Sequence, residues 1–356
     1  MNDNSGKSPY LSIVLCSRND NHGGNMLQRM QVSINGRLEQ LEKHRIESEL
    51  ILIDWNPPEN KPLLKKAIQW QSGLKYCSIR IIEVPYRIHR RYKYYKKLPI
   101  HVIVGINSGI RRARGKFVLP GLIDSICSDE LMRFVASKSL KTDAMYRVDR
   151  CNVDRNVVQY NTLREQLNFC RQNIIRIDTK IRYNDLPDLH TAGSGDFQLM
   201  SRHNYHLLRG YRESNITGSS ADTLLSYSVY ASGVREIPLK EPMRIYHIDH
   251  DSTYVDKLQT GDKPFIKLVS LPFIPRSISF RLISLYRKYI GETKTSYYYK
   301  GVPALHGSEC FKIIRDILAG KCSYIFNDNT WGLAGENLPE TLISLAEWER
   351  GEAALQ

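Results

Sequence analysis

The sequence predicts an α/β protein built on a parallel sheet. Three observations carry this expectation. Short apolar runs rich in β-branched residues recur at 10–16, 49–54, 79–84 and 116–119, as buried strands do. Helical spacing lies between some of them, and strand–helix alternation implies a parallel sheet. Polar or acidic groups stand just after the strands, where such sheets bind ligands: Arg18-Asn19-Asp20, Asp54 and Asp124.

The first run, Tyr10 to Cys16, stops at the polar turn Ser17 to Asn25. Met26, Met30, Ile34, Leu38 and Leu41 then recur every three or four residues, the spacing of one helical face. Gly36 is the weak point of that helix. Glu49 to Asp54 is a second apolar strand, closed by Pro57 and Pro58, and Ile79 to Val84 a third, closed by Pro85. The pattern predicts a helix over 100–112 and a fourth strand from Lys116. Beyond residue 150 it predicts a loop and strand over 188–202, a helix over 218–233 and a strand over 243–249. Helices are expected at 278–290 and 309–319.

Composition narrows the function classes. With 356 residues, 42% hydrophobic and 25% charged, the chain can bury a real core. No run reaches the roughly 18 apolar residues of a membrane span. Met1 to Pro9 is polar and lacks the apolar core of a signal peptide, so the expected location is the cytoplasm. The seven cysteines form no Cys-x-x-Cys pair, and free or buried thiols are expected. A net charge of +14 suits nucleic acid, an anionic membrane surface or a phosphorylated substrate, and charge alone does not choose among them.

Several segments resemble the GT-A glycosyltransferases of the family 2 type. Ser12 to Asn19 resembles their opening strand and turn, and Ile51 to Asp54 their second strand, which ends in an acid near the nucleotide base. Asn107-Ser108-Gly109-Ile110-Arg111-Arg112-Ala113-Arg114-Gly115-Lys116-Phe117 resembles their approach to a metal-binding Asp-x-Asp motif. The resemblance spans roughly residues 10 to 250, set by the order of strands. It implies a mostly parallel central sheet flanked by helices over 1–255, with a mainly helical C-terminal extension over 256–356.

The resemblance also implies site residues. Arg18, Asn19, Asp20, Asp54, Arg111 and His190 would hold the nucleotide-sugar donor. Asp124 and His247 would hold a divalent cation, Mg²⁺ or Mn²⁺. The chain departs from the motif at Leu122, where the first Asp would stand. One carboxylate can suffice for such an ion beside phosphates and water; otherwise Asp124 is a turn-capping acid. Ala221-Asp222-Thr223 resembles the acid that opens the family's catalytic helix. Asp222 would take the acceptor's proton in an inverting transfer, with Asp196 in reserve. Its alternative role is a helix N-terminal acid favoured by the macrodipole. His247, in Tyr246-His247-Ile248-Asp249-His250, is a metal ligand or a structural histidine.

Two positive segments remain. Tyr86 to Lys97 holds six Lys or Arg, four Tyr and no acid. It reads as a substrate-facing loop, a solvated surface helix, or a stacking surface for single-stranded nucleic acid. Lys263 to Lys300 holds eight Lys or Arg and one acid, Glu292. Its helix over 278–290 either packs on the catalytic domain or lies on an anionic membrane at the inner face of the cell membrane. Trp331 anchors the tail or stacks on a sugar.

The expected function is transfer of a sugar from a nucleotide diphosphate to a hydroxyl of a glycan or lipid-linked glycan. The rivals are a relative that binds without transferring and a basic nucleic-acid-binding protein. Against the last, no nucleic-acid-binding signature is present.

Overall fold

The computed structural model describes residues 8–180, 185–214, 220–250 and 307–353, with residues 271, 274, 275, 278, 282, 302 and 305 between them. Two sheets organise these residues. The four apolar runs become strands β1 (Leu11–Ser17), β2 (Ser48–Trp55), β3 (Cys77–Val84) and β4 (Phe117–Pro120). They lie side by side in the order β4-β1-β2-β3, every pair parallel. Ser17 pairs with Asp54, and Val14 with Pro120. Asp54 and the turn after Pro120 therefore share one edge, at the carboxyl ends of the strands.

Helices cover both faces, which is why these strands read as continuous apolar runs. Leu11, Ile13 and Leu15 of β1 point to one face, against Met26, Met30, Ile34, Leu38 and Leu41 of helix α1 (Met26–Lys43). Val14 and Cys16 point to the other. There they meet Val104, Ile106 and Ile110, which belong to the helix over Val102–Arg112. The expected mostly parallel sheet flanked by helices is thus present.

Two short helices, α2 (Leu64–Ala67) and α3 (Tyr86–His89), precede that Val102–Arg112 helix, which is α4. Next come β5 (Ser125–Cys127), helix α5 (Asp129–Ala136), β6 (Ala144–Arg147), β7 (Asp149–Val153), helix α6 (Leu163–Gln172) and β8 (Ile174–Asp178). After a loop come β9 (Leu199–Ser201), helices α7 (Arg202–Leu208) and α8 (Ala221–Ala231), β10 (Arg235–Pro238) and β11 (Arg244–Ile248). Strands β9, β6 and β10 extend the main sheet beyond β4, with β9 antiparallel to both its neighbours. A second sheet has the order β5-β11-β7-β8.

In the C-terminal region, helix α9 (Gly307–Leu318) and helix α10 (Glu347–Ala353) flank strand β12 (Glu340–Ser344). Strand β12 pairs antiparallel with β3 and closes that edge of the main sheet. The late residues therefore contribute a strand as well as helices. Between α9 and β12 a strap crosses α4. The guanidinium of Arg112 donates to the carbonyls of Gly332 (2.8 Å), Leu333 (2.8 Å) and Glu336 (3.0 Å), and Trp331 is buried. Of the helix expected over 278–290, only Ile278 and Leu282 are among the described residues, both helical and exposed. Among the described residues no helix is long and apolar enough to cross a membrane. All seven cysteines are free, and six are buried.

Candidate active site

The site is built on a feature of α1 that its apolar spacing does not reveal. Arg29, Ser33, Arg37 and Gln40 are buried as well, and steps of three or four residues align them along one side of the helix. This polar stripe grips the segment 122–127. Arg29 pairs with the Asp124 carboxylate. Ser33 donates to the Ser125 carbonyl (2.8 Å), Arg37 to the Leu122 carbonyl (2.9 Å), and Gln40 to the Cys127 carbonyl (2.8 Å). Buried polar groups must find partners, and here they find each other. Position 122, where the family's first Asp would stand, thus contributes its backbone to Arg37.

The β5–β11 ladder then sets the imidazoles. His247 pairs with Ser125, and the Ile248 N–H donates to the Asp124 carbonyl at 3.0 Å. His247 Nε2 comes to rest 3.7 Å from Asp124 Oδ1, and His250 Nε2 stands 3.5 Å from Asp124 Oδ2. Gly23 makes room for this packing. Its φ is +72°, and a Cβ there would lie 2.5 Å from an Arg29 guanidinium nitrogen and 2.8 Å from His250 Nδ1. Burial alone would push the Asp124 carboxyl up; its interactions with His247, Arg29 and His250, of which the Arg29 guanidinium is the permanent cation, outweigh it and hold the group below the ordinary range. Burial, against the pull of Asp124, pushes His247 down to about 3, so its imidazole is neutral and ready to ligate.

Asp124, His247 and His250 each offer one ligand atom, all within 4.8 Å of one another. His247 Nδ1 is buried without a hydrogen-bond partner among the described residues. One carboxylate and two imidazoles suit a transition-metal ion such as Mn²⁺ or Zn²⁺ better than Mg²⁺, which prefers oxygen. The residues present therefore fit a divalent cation. The two expected ligands meet, and His250 joins them.

A cavity of about 530 Å³ opens beside this cluster. Its walls are Leu98 to Val104, the turn Pro120 to Asp124, Gly193, Gly195 and Ser220, with Arg150, Asp196 and Asp222 also among the lining residues. Asp222 lies in the first turn of α8. Its Oδ2 accepts from the Gly195 N–H and its Oδ1 from the Thr223 N–H, both at 2.9 Å. Asp196 is almost fully buried, 3.0 Å from Arg150 Nε. Burial, with Asp124 and Asp222 nearby, pushes it up to about 7 against the pull of Arg150.

Arg18, Asn19, Asp20 and Asp54, expected to hold the donor, lie at the same sheet edge, and none of them is among the residues lining the cavity. Arg18 Nε donates to the Asn56 carbonyl (2.6 Å) and Asn19 to the Pro62 carbonyl (2.9 Å), which ties the loop after β1 to the loop after β2. Asp20 bonds Arg18 and also His22, which lines the cavity. Asp54 Oδ2 accepts from the Leu64 N–H (2.8 Å), and its buried Oδ1 has no partner among the described residues. Burial pushes Asp54 up to about 6.

Two expected donor residues stand apart. Arg111 donates to the Trp331 carbonyl and lies over the Trp331 ring, 5.1 Å from its centre. His190 is buried against Asp149 (2.9 Å). Neither is among the residues lining the cavity. Asn107, from the motif that carries the resemblance, clamps a turn instead. Its side chain accepts from the Tyr211 N–H and donates to the Tyr211 carbonyl, both at 2.8 Å.

Sequence reasoning did not single out Arg29, Arg150, His22 or His250. Only the His-x-x-His spacing at 247 and 250 offered a signal. The segment Tyr86 to Lys97 forms α3 and a run of turns that exposes its six cations. Its aromatic side packs inward, with Trp55 Nε1 donating to His89 Nδ1 at 3.0 Å.

No protein-family model and no curated protein sequence matches the chain. Among solved structures, the chain is similar to the crystal structure of S. aureus TarS 1-349. The identity is 11%, over 78% of this chain and 72% of that one, with a TM-score of 0.44. For the same protein in complex with UDP-GlcNAc the identity is 11%, over 80% and 74%, with a TM-score of 0.47.

Proposed function

We propose that this chain is an inverting glycosyltransferase. It moves a sugar from a nucleotide-diphosphate donor to a hydroxyl of a glycan or lipid-linked glycan. One observation carries the reading: a carboxylate–imidazole cluster and a helix-opening carboxylate face one cavity at the carboxyl edge of a parallel sheet. Such edges are where ligands bind in these sheets.

The chemistry needs three things from the chain. The loop after β1 and the Asp54 Oδ1 would accept and fix the nucleotide. Asp124, His247 and His250 would hold a divalent cation, which when bound neutralises charge on the donor diphosphate. Asp222, oriented by the Gly195 N–H, takes the proton of the acceptor hydroxyl as that oxygen bonds to the anomeric carbon. The bond from that carbon to the diphosphate oxygen breaks, and the nucleoside diphosphate leaves with the electron pair.

Calorimetry with UDP- and GDP-sugars, with and without Mn²⁺, tests the reading. Binding is expected for one of them and should tighten with Mn²⁺. Asp222→Asn should keep that affinity and lower turnover by roughly 10²–10⁴-fold, as expected for loss of a general base. A second reading, binding without transfer, is favoured by Leu122 at the first motif position. Tight binding with no turnover of any acceptor would support it.

A further inference from the structure

We infer that the segment Tyr86 to Lys97 docks this protein on an anionic phospholipid surface and turns the cavity toward it. The inference goes beyond the glycosyltransferase reading, and its test needs no turnover.

The segment carries six cations and no acid. Arg87, Arg90, Arg91, Lys93, Lys96 and Lys97 are all exposed. Glu336, from the strap that crosses α4, offsets part of this charge through Arg87 (3.4 Å) and Arg91. Arg90, Lys96 and Lys97 make no ion pair among the described residues.

The base beneath these cations is fixed. His89 Nε2 donates to the Tyr95 carbonyl (2.9 Å), and the Asn56 side chain donates to the Pro99 carbonyl (3.1 Å). The Tyr92 ring packs on Trp55 at 5.8 Å and on His101 at 4.6 Å, and Tyr95 packs on His89 at 6.3 Å. Of the four tyrosines only Tyr86 is exposed, at 54%. Single-stranded nucleic acid needs open aromatic faces on which successive bases stack, and here those faces are spent on packing. A single exposed tyrosine among Lys and Arg is instead what a layer of anionic headgroups accommodates.

Position gives the patch its use. Strand β3 runs parallel to β2, so the segment leaves the sheet at the edge that carries the cavity. The chain then passes directly from Lys97 into the cavity wall, where Leu98, Pro99, Ile100, Val102 and Ile103 are apolar. Such a wall suits hydrocarbon better than a sugar or a phosphate, whose polar groups it would leave without partners. Cations followed at once by an apolar wall match a bilayer, which is charged at its surface and apolar beneath.

Co-sedimentation of the full chain with vesicles tests the docking. Vesicles of phosphatidylcholine with about 30% phosphatidylglycerol are compared with phosphatidylcholine alone, at about 0.1 M salt, where charges act over about 10 Å. Binding is expected to the anionic vesicles alone and should fall as salt is raised. Arg90→Gln combined with Lys96→Gln and Lys97→Gln should weaken it at least about thirtyfold, since each cation at such a surface is worth about fivefold. Lys138→Gln combined with Lys240→Gln and Lys321→Gln removes the same charge from exposed positions outside the segment. That control should stay within about threefold of wild type.

No binding to anionic vesicles would overturn the docking. Equal losses in the two triple variants would overturn it as well, because net charge alone would then hold the chain to the lipid. A single-stranded oligonucleotide bound in place of the vesicles, and released by the first triple variant, would assign the patch to nucleic acid instead. Calorimetry with nucleotide sugars in the absence of vesicles reports separately on the proposed reaction, so a failure there leaves the vesicle result standing.

Discussion

His101 sits in the cavity wall, packed on Tyr92 with ring centres 4.6 Å apart and on Trp55 at 6.0 Å. Burial, reinforced by His89, pushes its imidazole down to about 4 from an ordinary 6.5. The unfolded chain therefore takes up a proton below about pH 6.5 that the folded chain resists. The contribution is full above that pH and is lost as pH falls through the window from about 6.5 to about 4. Between pH 7 and pH 5 the wild type should lose about 2 kcal/mol more stability than His101→Phe, read by urea unfolding. Equal losses would mean that His101 titrates normally. At this scale the sequence was informative wherever chemistry sits at a strand end. Asp54, Asp124 and His247 were legible for that reason. Arg29 was not, because an arginine on a helix reads as a solvent-facing residue. Only the fold puts a carboxylate opposite it.

Helix α4 lies against β1 because two glycines, one turn apart, leave it bare. A Cβ at Gly105 would lie 2.3 Å from Cys16 Sγ, and one at Gly109 would lie 2.4 Å from Val14 Cγ1. Cys16 also lines the cavity, so the same contact sets the position of the wall that follows Leu98. Gly105→Ala or Gly109→Ala should each cost about 1–3 kcal/mol through overpacking. Gly335→Ala, where a Cβ meets nothing within 4 Å, should be near neutral. Thermal unfolding of the three variants checks this; a neutral Gly109→Ala would show that helix and strand can move apart freely. Elements with one clear period were legible, as α1, α4 and β1 to β4 were. Strand β7 was not, because Asp149-Arg150-Cys151-Asn152-Val153 has no apolar run. It is a strand because β11 and β8 pair with it, and such long-range pairing leaves little trace in a local window.

Across the whole molecule, the strap from 327 to 338 joins distant parts. Asn327 accepts from the Glu213 N–H and donates to the Tyr211 carbonyl, while Glu213 accepts from Asn107 and from the Gly332 N–H. The turn that leads into the cavity at Ser214 is thus tied to α4 and to the strap at once. Removing the guanidinium that holds three strap carbonyls, in Arg112→Ala, should cost about 2–3 kcal/mol, the scale of charged hydrogen bonds. Cleavage within the strap by chymotrypsin, at Trp331 or Leu333, should also speed up. An unchanged melting point with an unchanged digestion pattern would show that Trp331 alone holds the strap down. The strap was legible only as Trp331, an aromatic in a polar stretch. What it offers Arg111, Arg112 and Glu213 is main-chain carbonyls and an N–H, which composition does not encode.

The pairing of β12 with β3 has a consequence for the nascent chain. Strand β3 ends at Val84, and the strand that covers its edge begins at Glu340. At ordinary elongation rates β3 waits on the order of tens of seconds before its partner is made. Until then a flat, apolar strand offers a row of unsatisfied amides and carbonyls to any passing chain. Arg80, on that strand, holds Glu49 of β2 at 2.8 Å and Glu340 of β12 at 2.6 Å, and a charge near an open edge discourages wrong pairing. One arginine thus joins three strands, β2, β3 and β12, and the last of them to be made closes the edge.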